Sequence, residues 1–147
     1  MYILEEAEGM SVSPEKVLDS FSLHWQAEVP LKNLCHWRIG GPADYVVTPR
    51  TGEEVRLARE AARKCGLPFI VIGHGSNLLF DDKGFRGIVI KTGSKFSRVS
   101  FEGTRVTAEA GIWVPSLARV CASRGLAGLE HTVGIPGNLG GLVFMNG

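Results

Sequence analysis

The sequence lacks a long apolar run: nothing in its 147 residues approaches the roughly 18 consecutive apolar residues that a membrane-spanning helix needs. Its opening, MYILEEAEGM, has neither the basic start nor the apolar stretch of a secretory signal, and the expectation is a cytoplasmic protein with no membrane partner. Net charge is also scarce. Sixteen Lys and Arg against 15 Asp and Glu leave +1, too little basic excess to neutralise a phosphate backbone, so nucleic acid is not an expected partner. The three cysteines, Cys35, Cys65 and Cys121, are far apart and odd in number, without a C-x-x-C pair or a histidine cluster of metal-ligand spacing. They read as small hydrophobes, and no metal is expected. Trp25, Trp37 and Trp113 are too scattered for a stacking platform and are assigned to the core or its margin. What the chain has in abundance is glycine: 19 residues where about ten would be usual at this length, in no repeat. That density means many tight turns, or backbone pressed against a ligand.

The chain is long enough for one real core, and its elements read in order. Ser13 is positioned to cap a helix that begins at Pro14 and runs to about Leu23. A Gly-Gly-Pro breaker at 40–42 precedes the strand-like ADYVVT. TGEEVRLAREAARKCG is the clearest helix: Thr51 and Glu54 form a capping box, Val55, Ala58, Ala61, Ala62 and Cys65 share a face, and Gly66 marks the stop. LPFIVIG reads as a buried strand. RGIVIKT follows as a further strand, and SRVSFEG with TRVTAEAG suggests a hairpin. A last helix is expected over about Pro115 to Arg124, ending at Gly125. This succession is α+β in type, without a continuous βαβ alternation.

Three glycine-rich segments could carry chemistry. In Gly73-His74-Gly75-Ser76-Asn77-Leu78-Leu79 a strand ends in a row of backbone N–H groups suited to phosphate oxygens, with Ser76 and Asn77 adding side-chain donors. It is neither a Rossmann fingerprint nor a Walker loop, and from spacing alone it reads equally as a plain turn. In Gly134-Ile135-Pro136-Gly137-Asn138-Leu139-Gly140-Gly141 a sharp turn precedes a face without side chains, against which a flat ring, or simply a neighbouring helix, could pack. Arg38-Ile39-Gly40-Gly41-Pro42 reads by itself as a turn. His74, and His131 beside Glu130, have no nucleophile at a recognisable spacing, so no catalytic residue is assigned.

Taken in order, these segments, together with Ala108-Glu109-Ala110-Gly111, Gly128-Leu129-Glu130 and Met145-Asn146-Gly147, resemble the UDP-N-acetylenolpyruvoylglucosamine reductase (MurB) family from about Pro30 onward. The resemblance implies an FAD-binding fold of the vanillyl-alcohol oxidase (PCMH) type. Residues 1–29 would form a leader with a short helix, and 30–147 an FAD-binding domain of two α+β subdomains, the second incomplete. It further implies cofactor-binding roles: Gly73, His74, Gly75, Ser76, Asn77 and Leu78 at the pyrophosphate; Gly134, Ile135, Pro136, Gly137, Asn138, Gly140 and Gly141 along the flavin and its ribityl and phosphate region; and Arg38, Ile39, Gly40 and Gly41 enclosing the cofactor. The reaction implied is reduction of FAD by NADPH, then hydride delivery to the enolpyruvyl group of a UDP-sugar in peptidoglycan precursor synthesis. The family's substrate-binding residues and proton-donating serine have no counterpart in these 147 residues. The expectation is therefore the FAD-binding portion of such a reductase, unable to reduce the sugar alone. The family's usual threonine and phenylalanine near Cys35-His36-Trp37 are also missing. The alternative expectation is a non-catalytic flavoprotein module that self-associates, or pairs with another chain, through the apolar LVFM segment. A different flavoprotein of the same superfold is a third reading.

Overall fold

The computed structural model describes residues 12–147. The reading of the first residues as free of a signal sequence, and most of the proposed leader before its helix, lie outside the described residues.

Helix α1 (Pro14–Ser20) starts at the expected proline, but the Ser13 hydroxyl turns to the Glu15 carboxylate and caps no backbone N–H. The helix stops three residues earlier than expected. Ser22 adopts φ 53° and the Leu23 N–H returns to the Leu18 carbonyl, closing the end before Leu23 can join it. The chain then forms a strand that the sequence reading did not assign, β1 (Trp25–Pro30), which pairs antiparallel with β2 (Pro42–Val47).

Helix α2 (Gly52–Lys64) obeys its sequence signals. The Thr51 hydroxyl accepts from the Glu54 N–H (3.1 Å), the Glu54 carboxylate accepts from the Arg50 N–H (2.8 Å), and Ala58, Ala61 and Ala62 are fully buried. Methyl-sized side chains let the helix lie close to the sheet. Strand β3 (Phe69–Ile72) and the central β4 (Phe85–Lys91) complete a sheet of order β1-β2-β4-β3, in which β2, β4 and β3 run parallel. Strand β4 is buried on both faces. Ile88 and Ile90 join Val17, Leu18 and the α2 alanines on one side, while Val89 meets Leu31, Ala43, Val46 and Ile72 on the other, as the two-residue strand period requires. Strand β3 was expected to be buried, but it is the edge strand, and Phe69 and Val71 keep one face to solvent.

Parallel neighbours cannot be joined by a tight turn. The connection from β3 to β4 therefore spans residues 73–84 and crosses the sheet face opposite α2, where Leu78 and Phe80 pack onto the Val89 cluster. The glycine-rich loop is the first part of this crossover, so its place at the end of β3 follows from the topology.

A second, smaller region follows. The expected hairpin forms as β5 (Val99–Glu102) and β6 (Arg105–Ala108), with Gly103 at φ 58° in the turn. Helix α3 (Val114–Ala122) buries Leu117 and Cys121 against the hairpin. The last element is helix α4 (Leu139–Phe144). Cys35 and Cys121 are buried and Cys65 is half-buried, as small hydrophobes would be. Trp37 departs from its core assignment: it is 65% exposed. Among the described residues no helix is long and apolar enough to cross a membrane, and no group of three or more His, Cys, Asp or Glu could hold a metal ion.

Candidate functional site

Strands β2, β4 and β3 end at the same edge of the sheet, as Val47-Thr48, Lys91-Thr92 and Ile72-Gly73. The carboxyl ends of parallel strands are where open sheets take ligands, because the connections diverge there and leave a crevice. A groove of about 540 Å³ opens at this edge, lined among others by Thr48, His74, Lys91, Gly111, Trp113 and Asn138. A second hollow of about 690 Å³ adjoins it, with Asn33, His36 and Arg38 on its far wall. His74 and Lys91 line both and form the wall between them.

The Gly73–Asn77 loop bounds these hollows. Gly75 has φ +75°, and a Cβ there would lie 2.1 Å from the Leu34 carbonyl oxygen, so only glycine fits. Its own carbonyl accepts from the His36 N–H at 3.0 Å. The backbone N–H groups of His74, Gly75, Ser76 and Asn77 donate to no backbone acceptor among the described residues. Four successive unused donors in a loop form a nest for an anion.

The Gly134–Gly141 segment meets this loop from the second region. The Ser76 hydroxyl lies 3.7 Å from the Cβ position of Gly137, and the Asn138 side chain closes on Gly73 at 3.3 Å from its Cβ position. Backbone hydrogen bonds pin the segment against residues 110–114: Val114 N–H to the Gly137 carbonyl (2.9 Å), Leu139 N–H to that of Ile112 (2.9 Å), and Gly140 N–H to that of Ala110 (2.8 Å). Asn138 is only 4% exposed. Its Nδ2 donates to the Gly111 carbonyl at 2.6 Å, while its Oδ1 is buried without a partner among the described residues. A buried acceptor left unmet costs free energy until a donor arrives. Gly134 and Gly141 face open space, whereas Gly140 packs against Ala110, so the close-packing reading holds at one position and not at the others.

The remaining segment behaves differently. Gly40 and Gly41 press on Phe80 and Asp82 and brace the β3–β4 crossover. Ile39 is exposed and its carbonyl accepts from the Cys35 thiol. Arg38 alone of the four lines the second hollow. Leu78 packs into the sheet core. The structure thus brings together the loop and the 134–141 segment, and sets residues 39–41 behind them.

Sequence reasoning missed two groups. Trp113 was assigned to the core or its margin, yet its ring packs against that of His74, centroids 4.6 Å apart and planes tilted by 55°, and His74 in turn stands 5.2 Å from His36. Lys91 was read only as part of a strand. Its ammonium donates to the Gly73 carbonyl from a half-buried position. The available signal was a lysine directly after the apolar run Ile88-Val89-Ile90, since such a strand ends at the crevice. Burial holds the Lys91 ammonium below the usual lysine range. Burial, followed by the Lys91 charge and His36, holds the His74 imidazole below its usual value.

A glycine-rich loop with unused N–H groups, a cation beside it and a buried acceptor without a donor fit a phosphate-bearing, hydroxyl-rich ligand. The comparisons agree with that chemistry. The family model for an FAD binding domain matches residues 43–147. The chain belongs to the FAD binding domain family. FAD is the cofactor of this domain.

The FAD-binding domain is 42% identical over 145 residues to UDP-N-acetylenolpyruvoylglucosamine reductase 1 of Corynebacterium glutamicum, covering 98% of this chain and 43% of that protein. It is 46% identical over 117 residues to the reductase of Rubrobacter xylanophilus, covering 80% of this chain and 39% of that one. Among solved structures, MurB from Thermus caldophilus superposes with TM-score 0.67 at 35% identity, over 85% of this chain and 42% of its own. Glucooligosaccharide oxidase from Acremonium strictum superposes with TM-score 0.58 at 16% identity, over 78% of this chain and 26% of its own, and shows the fold alone. The resemblance read from the motifs and the expected fold of the vanillyl-alcohol oxidase type are both borne out. The chain spans about two-fifths of the length of the curated relatives it matches.

Proposed function

We propose that this chain is the FAD-binding portion of a cytoplasmic, NADPH-dependent flavoprotein that reduces the enolpyruvyl group of UDP-N-acetylglucosamine enolpyruvate in peptidoglycan precursor synthesis. The observation that carries the reading is the convergence, at the carboxyl ends of β2, β4 and β3, of the unpaired N–H row at 74–77 and the Asn138 Oδ1 without a donor. When bound, FAD supplies the centre that takes up and delivers hydride. The chain's own residues bind and orient. The 74–77 backbone holds phosphate oxygens, Asn138 accepts from a hydroxyl, and Gly134, Gly137 and Gly141 leave room for close approach. Arg38 contributes from the second hollow, with Ile39, Gly40 and Gly41 supporting the loop from behind.

The test is an FAD titration of the purified chain followed by flavin fluorescence, with Gly75→Asp as control. Saturable binding abolished by the carboxylate is expected. A wild-type chain that leaves flavin fluorescence unchanged at every concentration overturns the reading.

A second reading, self-association, is favoured by one observation. Val143, Phe144 and Met145 are 71%, 88% and 59% exposed, and such apolar patches attract partners. They lie at the end of helix α4, so the apolar surface of the LVFM segment belongs to a helix end. Sedimentation should show a dimer that Phe144→Glu dissociates. A concentration-independent monomer removes this reading.

A further inference from the structure

Lys91 is a cation in an unusual setting. It closes the central strand β4, is half-buried, and among the described residues has no carboxylate within ion-pairing distance. Among the described residues its one side-chain hydrogen bond runs to the Gly73 carbonyl, which neutralises nothing. The other titratable groups lining the two hollows are Lys32, Cys35, His36, Arg38, His74 and Lys95, and none is a carboxylate. A charge withdrawn from water without a counter-ion destabilises the chain that carries it. Lys91 also stands at the start of the loop whose next four N–H groups are unpaired. A nest of N–H dipoles and a lysine point charge at one loop are the two parts of a phosphate site, the first setting geometry and the second balancing charge.

We propose that Lys91 is the counter-charge for the diphosphate of the bound dinucleotide, held in place by the Gly73 carbonyl while the 74–77 backbone orients the oxygens. The inference rests on the FAD reading and adds a positioning residue to it. It also explains why an unpaired cation sits at the wall of both hollows, since a diphosphate there lies where the two meet.

The experiment measures urea midpoints of the 147-residue chain without ligand, with inorganic pyrophosphate and with FAD, for wild type, Lys91→Gln and Lys91→Arg. Glutamine keeps a donor for the Gly73 carbonyl and loses the charge; arginine keeps the charge. The expected result is that Lys91→Gln is as stable as wild type or more so without ligand, yet binds pyrophosphate and FAD about ten- to hundredfold more weakly. Lys91→Arg should retain most of the affinity. If Lys91→Gln binds both ligands as wild type does, the proposal falls and the FAD reading survives. If Lys91→Gln lowers the ligand-free midpoint and leaves the ligand-induced shifts intact, Lys91 is only a brace for the loop and the proposal again falls. Lys91-dependent stabilisation by pyrophosphate without any by FAD would retain the anion site and overturn the dinucleotide. No stabilisation of wild type by either ligand overturns both.

Discussion

The two regions that meet at the groove are built to different depths. The four-stranded sheet with α1 and α2 holds buried clusters of nine and five residues, with β4 sealed on both faces. The hairpin region has one buried cluster of three, Ile112, Leu117 and Cys121, under a two-stranded sheet. Because stability follows apolar area removed from water, the first region can hold its loop at 73–77 in shape alone. The 134–141 segment instead depends on three backbone hydrogen bonds and one asparagine for its place. The binding groove therefore has a firm wall and a weak one, and a ligand spanning both should stabilise the weak one more.

The sharpest way to break that comparison is to cut the two cores separately. Ile90→Ala, in the sheet, should cost about 2–5 kcal/mol and lower the urea midpoint of the whole chain. Leu117→Ala removes similar bulk, but its damage should stay local. Amide exchange should quicken over 105–122 while 85–91 remains protected, since low-stability units open without the rest. If Leu117→Ala instead unfolds both regions in one transition, they form a single cooperative unit and the distinction between firm and weak walls disappears.

This difference in depth also governs what could be read from the sequence. Helix α2 was legible to the residue because Thr51, Glu54, the alanine face and Gly66 (φ +64°) are local signals whose meaning does not depend on neighbours. Strand β1 was not legible: WQAEVP is mostly exposed and carries Glu28 at φ +50°, so its pairing with β2 leaves no alternating pattern. The apolar run FIVI declared a strand but not its place at the sheet edge, which depends on the order in which strands assemble. At the site, glycines announced themselves by composition, and two of the three segments they mark meet at the groove, while Gly40 and Gly41 brace the crossover behind it. Lys91, Trp113 and the orphaned Asn138 oxygen matter only through what surrounds them. Their surroundings are built from residues 18 to 65 positions away in the chain, beyond the reach of spacing arguments.

A smaller effect tests the seam itself. His74 belongs to the firm wall and Trp113 to the weak one, and their rings touch across the groove. Burial first, then Lys91 and His36, lower the His74 pKa in the folded chain. Just below the free histidine value of about 6.5, the unfolded chain consequently binds more protons than the folded one. His74's contribution to stability is full above that pH and declines as pH falls through it toward the folded value. Urea midpoints at pH 7.5 and 5.5 should differ for wild type, and the difference should shrink in His74→Phe, which keeps a ring against Trp113 and cannot titrate. An unchanged pH difference in the variant would mean that protonation acts elsewhere. Exchange measured at pH 5.5 carries the comparison further. If the seam is where the proton does its damage, residues 110–114 and 137–140 should lose protection before β4 does, because the second region has the smaller core with which to resist.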